Sequence, residues 1–516
     1  MTDVAIGARA RPGLAIPADR AAAREIGDGW VALAAIGTCA ALSVALVLLY
    51  PDSYQQDGGT HFLFARWAWA HPRNLVDVWG RPLFTFLYSG PAVWWGYRGA
   101  KLFTVLIACA TAWQTWQLAR EYGLERPALV IPLLWFQPSF LLLSSETMTE
   151  PLFALLLVSA LRLHHAGRRI LAALLISASA LARPEGFFIA AAWGVWLLLE
   201  HRGAKPNLFM RRVGTAALLA TFPVLWWLAA FAVTHDKLYI VHNWPANWSA
   251  TVATYGTGPG LEYYHRRKEI FGPLLVYPFA LGIIATFVFR RLGLALGLTL
   301  TFFVVHSILR ATGLFGSAGY PRYFVCVAPA IALVTLLGWN LAAVGVTAIA
   351  RAGAGPVIGA VTAAVLAVSA VCAVCYVDDM PWTRDSRLVD AAYRWFEAHP
   401  RPVQHYAFSQ AYMGIRFGWD PDHRVVFPGP SGQTLAALRA APAATLVVWD
   451  ADTGPAFFGG TTADSIAAAG YARLYVVADS MRGRILPHLA NGRYIPSVTP
   501  WGWGGARVTR VSLLYR

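Results

Sequence analysis

A carboxylate just beyond an apolar segment, followed by aromatic residues, can act as a general base where a lipid-linked substrate presents its headgroup. The stretch Gln55-Gln56-Asp57-Gly58-Gly59-Thr60-His61-Phe62 offers one, with Arg66, His71, Arg73, Asp77 and Arg81 close behind. If the chain is helical from Asp57, His61 lies one turn on and on the same face. The alternative is that Asp57 caps a helix and Gly58-Gly59 forms a turn, which residue chemistry by itself favours. A second polar turn reads Ser144-Ser145-Glu146-Thr147-Met148-Thr149-Glu150-Pro151. Its two glutamates are four positions apart, and Pro151 suits the first turn of a following helix. Glu150 is explained by the helix dipole, Glu146 less well. A third turn, Ala182-Arg183-Pro184-Glu185-Gly186, sets a cation beside a carboxylate, as a local ion pair or as a substrate contact. A fourth, Gly319-Tyr320-Pro321-Arg322-Tyr323, puts an arginine where a helix start disfavours a cation. Arg322 either snorkels to an interface or holds an anion. The run His265-Arg266-Arg267-Lys268 is a solvated loop face or a contact for lipid phosphates. The sequon Asn247-Trp248-Ser249 carries little weight.

The elements that must carry these turns are apolar. Of 516 residues, 57% are hydrophobic and 13% charged, about half the charged share of a soluble domain. Apolar blocks begin near 30–50 and continue at 99–119, 128–143, 151–165, 169–182, 185–200, 213–233, 273–290, 292–309, 322–345 and 356–377. They predict a mainly α polytopic transmembrane bundle of about eleven spans. The Arg-bearing residues 1–29 read as a cytoplasmic tail. Arg120, Arg126, Arg168, Arg169, Arg202, Lys205, Arg211, Arg212, Arg290, Arg291 and Arg351 then fall on the inner side. On this reading 30–377 is the membrane region, with outer loops 51–98 and 234–272. The four polar turns share the outer face, between spans nearly free of charge, which marks a site.

Residues 378–516 shift toward the composition of a soluble unit. Leu388, Ala392, Trp395 and Phe396 recur at helical spacing. Short β-rich runs at 403–408, 424–427, 445–449, 474–477 and 508–515, with helical stretches near 431–441 and 462–469, predict a small extracytoplasmic α/β domain. The net charge of +15 comes from basic residues scattered at the ends of apolar segments, so no nucleic-acid partner is expected. The five cysteines, including Cys372 and Cys375, lie in apolar blocks and read as packing residues.

Four of these motifs, taken in order, resemble one family. They are Gln56-Asp57-Gly58, the Ser-Glu-x-x-x-Glu-Pro turn ending at Pro151, Leu181-Ala182-Arg183-Pro184-Glu185-Gly186, and Tyr320-Pro321-Arg322-Tyr323 before a span containing Pro329. The arrangement over 30–377 is similar to the GT-C superfamily of polytopic glycosyltransferases, in its bacterial family 39-like and mannosyltransferase-like branches. The resemblance implies transfer of a sugar from a polyprenyl-phosphate donor to an extracytoplasmic glycan, lipid or protein hydroxyl at a bacterial cell membrane. Asp57 matches the catalytic base. Arg322 matches the arginine that contacts donor phosphate, and Tyr323 and Arg81 are grouped with it. His61, Glu146, Glu150, Arg183 and Glu185 are assigned to acceptor or sugar. Many members carry two adjacent acids in the first loop, where this sequence has Gln56 beside a single Asp; no metal ligand is assigned and no cofactor is expected. A lipid-linked-sugar transporter or flippase would place its ionisable groups near the bilayer midplane. There the sequence offers chiefly His306, read as a packing histidine. A noncatalytic receptor or scaffold would need no matched set of acidic and arginine turns.

Overall fold

The computed structural model describes residues 18–50, 55–200, 206–245, 248, 255–350, 354–378, 386–425, 431–451, 454–480 and 508–516. The first helix, α1 (Ala18–Leu49), begins inside the expected N-terminal tail. Next comes α2 (Gln55–Arg66), then α3 (Pro82–Trp94) and the long α4 (Gly96–Glu121). The block at 128–143 does not form one rod. It splits into α5 (Val130–Trp135) and α6 (Pro138–Leu143), with Gln137 extended between them. Pro138 supplies the cause, because the residue before a proline is pushed out of helical geometry. The Gln137 amide then bonds Leu133 O at 3.3 Å and Ala328 O at 3.0 Å.

Helices α7 (Glu150–His165), α8 (Arg169–Ala182) and α9 (Glu185–Leu199) follow, with α10 (Pro206–Ala217) and α11 (Thr221–Thr234) nearly continuous. Three short helices, α12 (Tyr239–His242), α13 (Glu262–His265) and α14 (Arg267–Phe271), lead into α15 (Val276–Phe289) and α16 (Gly293–Thr312). A 3-10 segment, Pro321–Val327, runs into α17 (Ala328–Ala350), and α18 (Ala354–Asp378) closes the bundle. Among the described residues six helices are long and apolar enough to cross a membrane: Gly27–Leu49, Gly96–Glu121, Phe209–Thr234, Gly293–Thr312, Pro321–Ala348 and Gly355–Val377. Three shorter apolar helices accompany them, α8, α9 and α15. The protein is a multi-pass membrane protein. Its tightest helix contact joins α15 to α17, where a Cβ added to Gly282 or Gly338 would overlap the backbone of the facing helix. Small residues permit such an approach, and dispersion at short range holds it.

Beyond α18, helix α19 (Ser386–Ala398) buries Leu388 and Ala392 and stacks Trp395 on Tyr475 at 5.0 Å. Strand β1 (His405–Phe408) and helices α20 (Ala411–Phe417) and α21 (Ser431–Ala440) come next. Strand β2 (Thr445–Asp450), α22 (Gly454–Phe457), α23 (Ala463–Ala468), β3 (Ala472–Ser480) and β4 (Val508–Tyr515) complete the chain. The sheet order is β1-β2-β4-β3, with β1 and β2 parallel and β4 antiparallel to both neighbours. Of the run expected at 424–427, Arg424 makes a single bridge to Tyr406, and residues 426–427 lie outside the described set, as do Asn247 and Ser249 of the sequon. One apolar cluster joins Phe62, Leu63 and Phe84 to Leu388, Tyr406, Phe408 and Met413. The sheet unit therefore sits directly on α2. Trp67 Nε1 donates to Trp419 O at 3.1 Å across the same contact.

Candidate functional site

Asp57 does not cap a helix. Helix α2 starts two residues earlier, and Gly58 lies inside it. The glycine sits in close contact with the next polar turn: a Cβ there would lie 3.4 Å from Glu146 Oε2 and from Met148 Sδ, an ordinary van der Waals distance. Asp57 occupies the first turn, where a carboxylate suits the exposed amides. It is ion-paired with Arg322 Nη2. The carboxylate side chain keeps 28% of its exposure whereas Arg322 keeps 5%, so the acid is the accessible member. Burial pushes the Asp57 carboxyl up, but the Arg322 guanidinium outweighs it and leaves the group below the usual carboxylate range.

From Arg322 the charges alternate inward. Its Nε lies 3.9 Å from Glu150 Oε1, and the same oxygen lies 2.7 Å from Arg183 Nη1. Arg183 also grips Glu185 through two bonds, Nη2 to Oε1 at 2.6 Å and Nε to Oε2 at 3.1 Å, and donates to Thr149 Oγ1 at 3.0 Å. Local structure explains the convergence. Arg183 is the extended residue between α8 and α9, Glu150 and Glu185 open α7 and α9, and Arg322 opens the 3-10 segment. Gly186 lets α9 start against the backbone at Ala180, where a Cβ would collide. Tyr323 lies between the two arginines, 5.6 Å from Arg183 Cζ and 5.9 Å from Arg322 Cζ. His306 is packed against Phe302 at 4.4 Å and Tyr323 at 5.1 Å, and its Nε2 lies 3.9 Å from Glu185 Oε1 at the border of the charge cluster.

Arg81 completes a count of three arginines to three acids, but it is held differently. The turn before it is tied by Gly80 N to Asp77 Oδ1 at 2.8 Å and by Thr85 Oγ1 to Gly80 O at 2.6 Å. Arg81 itself has φ 63°, a conformation that L side chains rarely adopt and that costs about 1–3 kcal/mol. Its guanidinium lies over Trp248 at 4.2 Å and donates to Val78 O at 3.0 Å. Its Nε has no hydrogen-bond partner among the described residues. Burial lowers its pKa to about 9, with the nearby Arg183 charge adding to the effect. His61 is buried beside Trp79 and Phe84, at ring distances of 6.2 and 5.4 Å, and its Nδ1 is also without a partner. Burial first, then Arg81, lowers His61 to about 3, so it is neutral at pH 7.

The remaining expected residues lie apart. Glu146 is fully buried and ion-paired with Lys101, whose Nζ also donates to Tyr50 O at 2.8 Å. Glu146 and Glu150 are not stacked on one helix, because residues 144–149 are irregular and the two side chains leave in different directions. Of the basic run, Arg266 turns inward to Glu269 at 3.0 Å and Gly319 O at 2.9 Å, bracing the loop that leads to Arg322. His265 is exposed, and Arg267 lies over Tyr264 at 4.5 Å. Sequence reasoning passed over Lys101, a cation near the start of an apolar span and one turn from Arg98. Its place within the span was the available signal. His71, Asp420 and Asp422 also gather, with His71 Nε2 2.7 Å from Asp420 and Nδ1 3.0 Å from Asp422. Arg73 sits 2.5 Å from Asp422, and the group reads as an ionic clasp between the 51–98 loop and the sheet unit.

No protein-family model and no curated protein matches the sequence. Solved structures do match the fold. The structure of ArnT from Cupriavidus metallidurans in the apo state superposes with a TM-score of 0.61 at 12% identity, over 83% of this chain and 94% of that one. The structure of the same protein bound to undecaprenyl phosphate gives 0.59 at 11% identity, over 94% and 98%. The fold is thus the GT-C-like one anticipated from the motifs.

Proposed function

We propose that the protein is a membrane glycosyltransferase that moves a sugar from a polyprenyl-phosphate donor to a hydroxyl of a glycan, lipid or protein on the extracytoplasmic side of a bacterial cell membrane. The observation that carries this reading is the partly accessible Asp57 carboxylate, kept ionised by Arg322 at the edge of a buried cluster that contains the under-bonded cation Arg81. That one ArnT structure holds undecaprenyl phosphate supports the donor class.

Asp57 accepts the proton of the attacking hydroxyl, a contribution of about 10² to 10⁴ in rate. The hydroxyl oxygen bonds to the anomeric carbon as its bond to the phosphate oxygen breaks, with inversion. The sugar passes through an oxocarbenium-like state. The departing phosphate gains about one negative charge, so a guanidinium aimed at it binds the transition state more tightly than the ground state. Arg81 offers the open N–H groups for that task. Arg322 aligns the base and adds a second positive charge, with Tyr323 behind it. Arg183, Glu150 and Glu185 shape the floor on which the sugar and acceptor rest, and neutral His61 donates or accepts one hydrogen bond there. His265, Arg267 and Lys268 meet lipid phosphates at the membrane surface. The sheet unit of 378–516 covers the site from the same side, and residues 1–29 lie in the cytoplasm.

The test is reconstitution of the purified protein with lipids extracted from its source organism, followed by mass spectrometry of the polyprenyl-phosphate sugars. Consumption by wild type and none by Asp57→Asn is expected, and the mass lost names the sugar. Movement of these lipids between leaflets without consumption would favour a flippase instead.

A further inference from the structure

We propose that Lys101 and Glu146 are a buried positioning pair, which seats the start of α2 so that Asp57 stays against Arg322. This rests on the transferase reading only for its kinetic consequence; the geometry stands alone. The pair's side chains are 1% and 0% exposed, too enclosed to meet a sugar. Lys101 is fixed by Tyr50 O, the residue just past α1, and lies 5.3 Å from the Tyr97 ring, while Tyr97 OH reaches Glu146 Oε2 at 3.4 Å. Glu146 opens a turn whose next two residues reach Gly58, the neighbour of Asp57, and Arg322. Thr147 Oγ1 donates to Gly58 O at 2.8 Å, immediately beside Asp57. Met148 Sδ accepts from Arg322 Nη1 at 3.7 Å, and a Cβ built on Gly58 would lie 3.4 Å from the same sulfur. The buried ion pair therefore fixes one turn, and that turn sets the registration of base and arginine.

An ion pair suits this role because it has two fixed ends and no tolerance for one without the other. A base displaced by about 1 Å loses about 100-fold in rate even though nothing at the reacting atoms has changed. Glu146 and Lys101 would act through Asp57 rather than on the substrate.

The test uses Glu146→Gln, which keeps shape, and Lys101→Met, each in the full-length reconstituted protein. The expected result is a kcat lower by about 100-fold with the donor and acceptor KM unchanged. A second readout needs no activity. Cysteines placed by Asp57→Cys and Arg322→Cys should be joined by a short bifunctional thiol reagent in the wild-type background, with a much lower yield when Glu146→Gln is added. A raised acceptor KM at unchanged kcat would overturn the proposal and return Glu146 to the substrate. A lowered melting temperature with unchanged kcat and cross-linking would overturn it in favour of plain structural support. If the wild-type protein transfers no sugar while the cross-link still depends on Glu146, the transferase reading fails and the positioning pair stands.

Discussion

Arg183 and Arg81 are both buried, at 7% and 8% exposure, yet they are opposites. Arg183 has a carboxylate on either side and a threonine besides, and its guanidinium is held by strong two-point contacts. Arg81 has one backbone carbonyl, an indole face and a strained backbone. A saturated cation has its binding capacity consumed within the protein, and one left under-bonded by burial keeps that capacity for a ligand. The difference sets a fully paired cation beside an under-bonded one inside a single charge cluster.

The contrast can be broken most forcefully at Arg183. Arg183→Met strands Glu150 and Glu185 as buried anions and should destabilise the protein by about 3–5 kcal/mol, read as a large loss of melting temperature in detergent. Arg81→Met should leave melting unchanged or raise it while donor KM rises at least tenfold; equal destabilisation by the two variants would erase the distinction. Inorganic phosphate should raise the melting temperature of the wild type by a few degrees and that of Arg81→Met not at all.

The smallest effect concerns pH. The lowered carboxyl of Asp57 contributes stability above the unfolded value of about 3.9, and that contribution is lost as pH falls through the folded value. Because Asp57 stays ionised and His61 near 3 stays neutral, kcat/KM should show no inflection between pH 5 and 7. Arg322→Met removes the strongest opposition to burial at Asp57 and leaves only the weaker ones from His61 and Arg183, so its acid limb should move upward. A limb near 6.5 in the wild type would assign the titration to His61 instead.

The cluster was legible as four polar turns because charge is scarce in this sequence, and scarcity makes each ionisable residue informative. Asp57, Glu150, Arg183, Glu185 and Arg322 were named from that and from the order of the motifs, and they meet in space. The partners were not legible, since pairing depends on which helix ends converge. Glu146, named with its neighbours in sequence, comes close to Gly58 beside Asp57, but its ion pair is with a cation from α4 that the motifs did not include. Strands β1 to β4 and helices α19, α21 and α23 lie where alternation and helical spacing put them, whereas α20 and α22 were not anticipated and the run at 424–427 makes only one bridge. The break at Gln137 hid inside a block whose hydropathy is continuous, although Pro138 marked it.

The order of the sheet has a bearing on how the protein is made. Strand β4 lies between β2 and β3 and hydrogen-bonds to both, so the middle of the sheet is its last piece to be synthesised. Until residues 508–515 have emerged, β2 and β3 each present an unpaired edge, and the apolar cluster that rests on α2 lacks Val511 and Leu513. Helices upstream can assemble during translation, but the unit packed against α2 closes only afterwards. The face of the sheet unit that meets α2 is thereby completed only after its last strand has emerged.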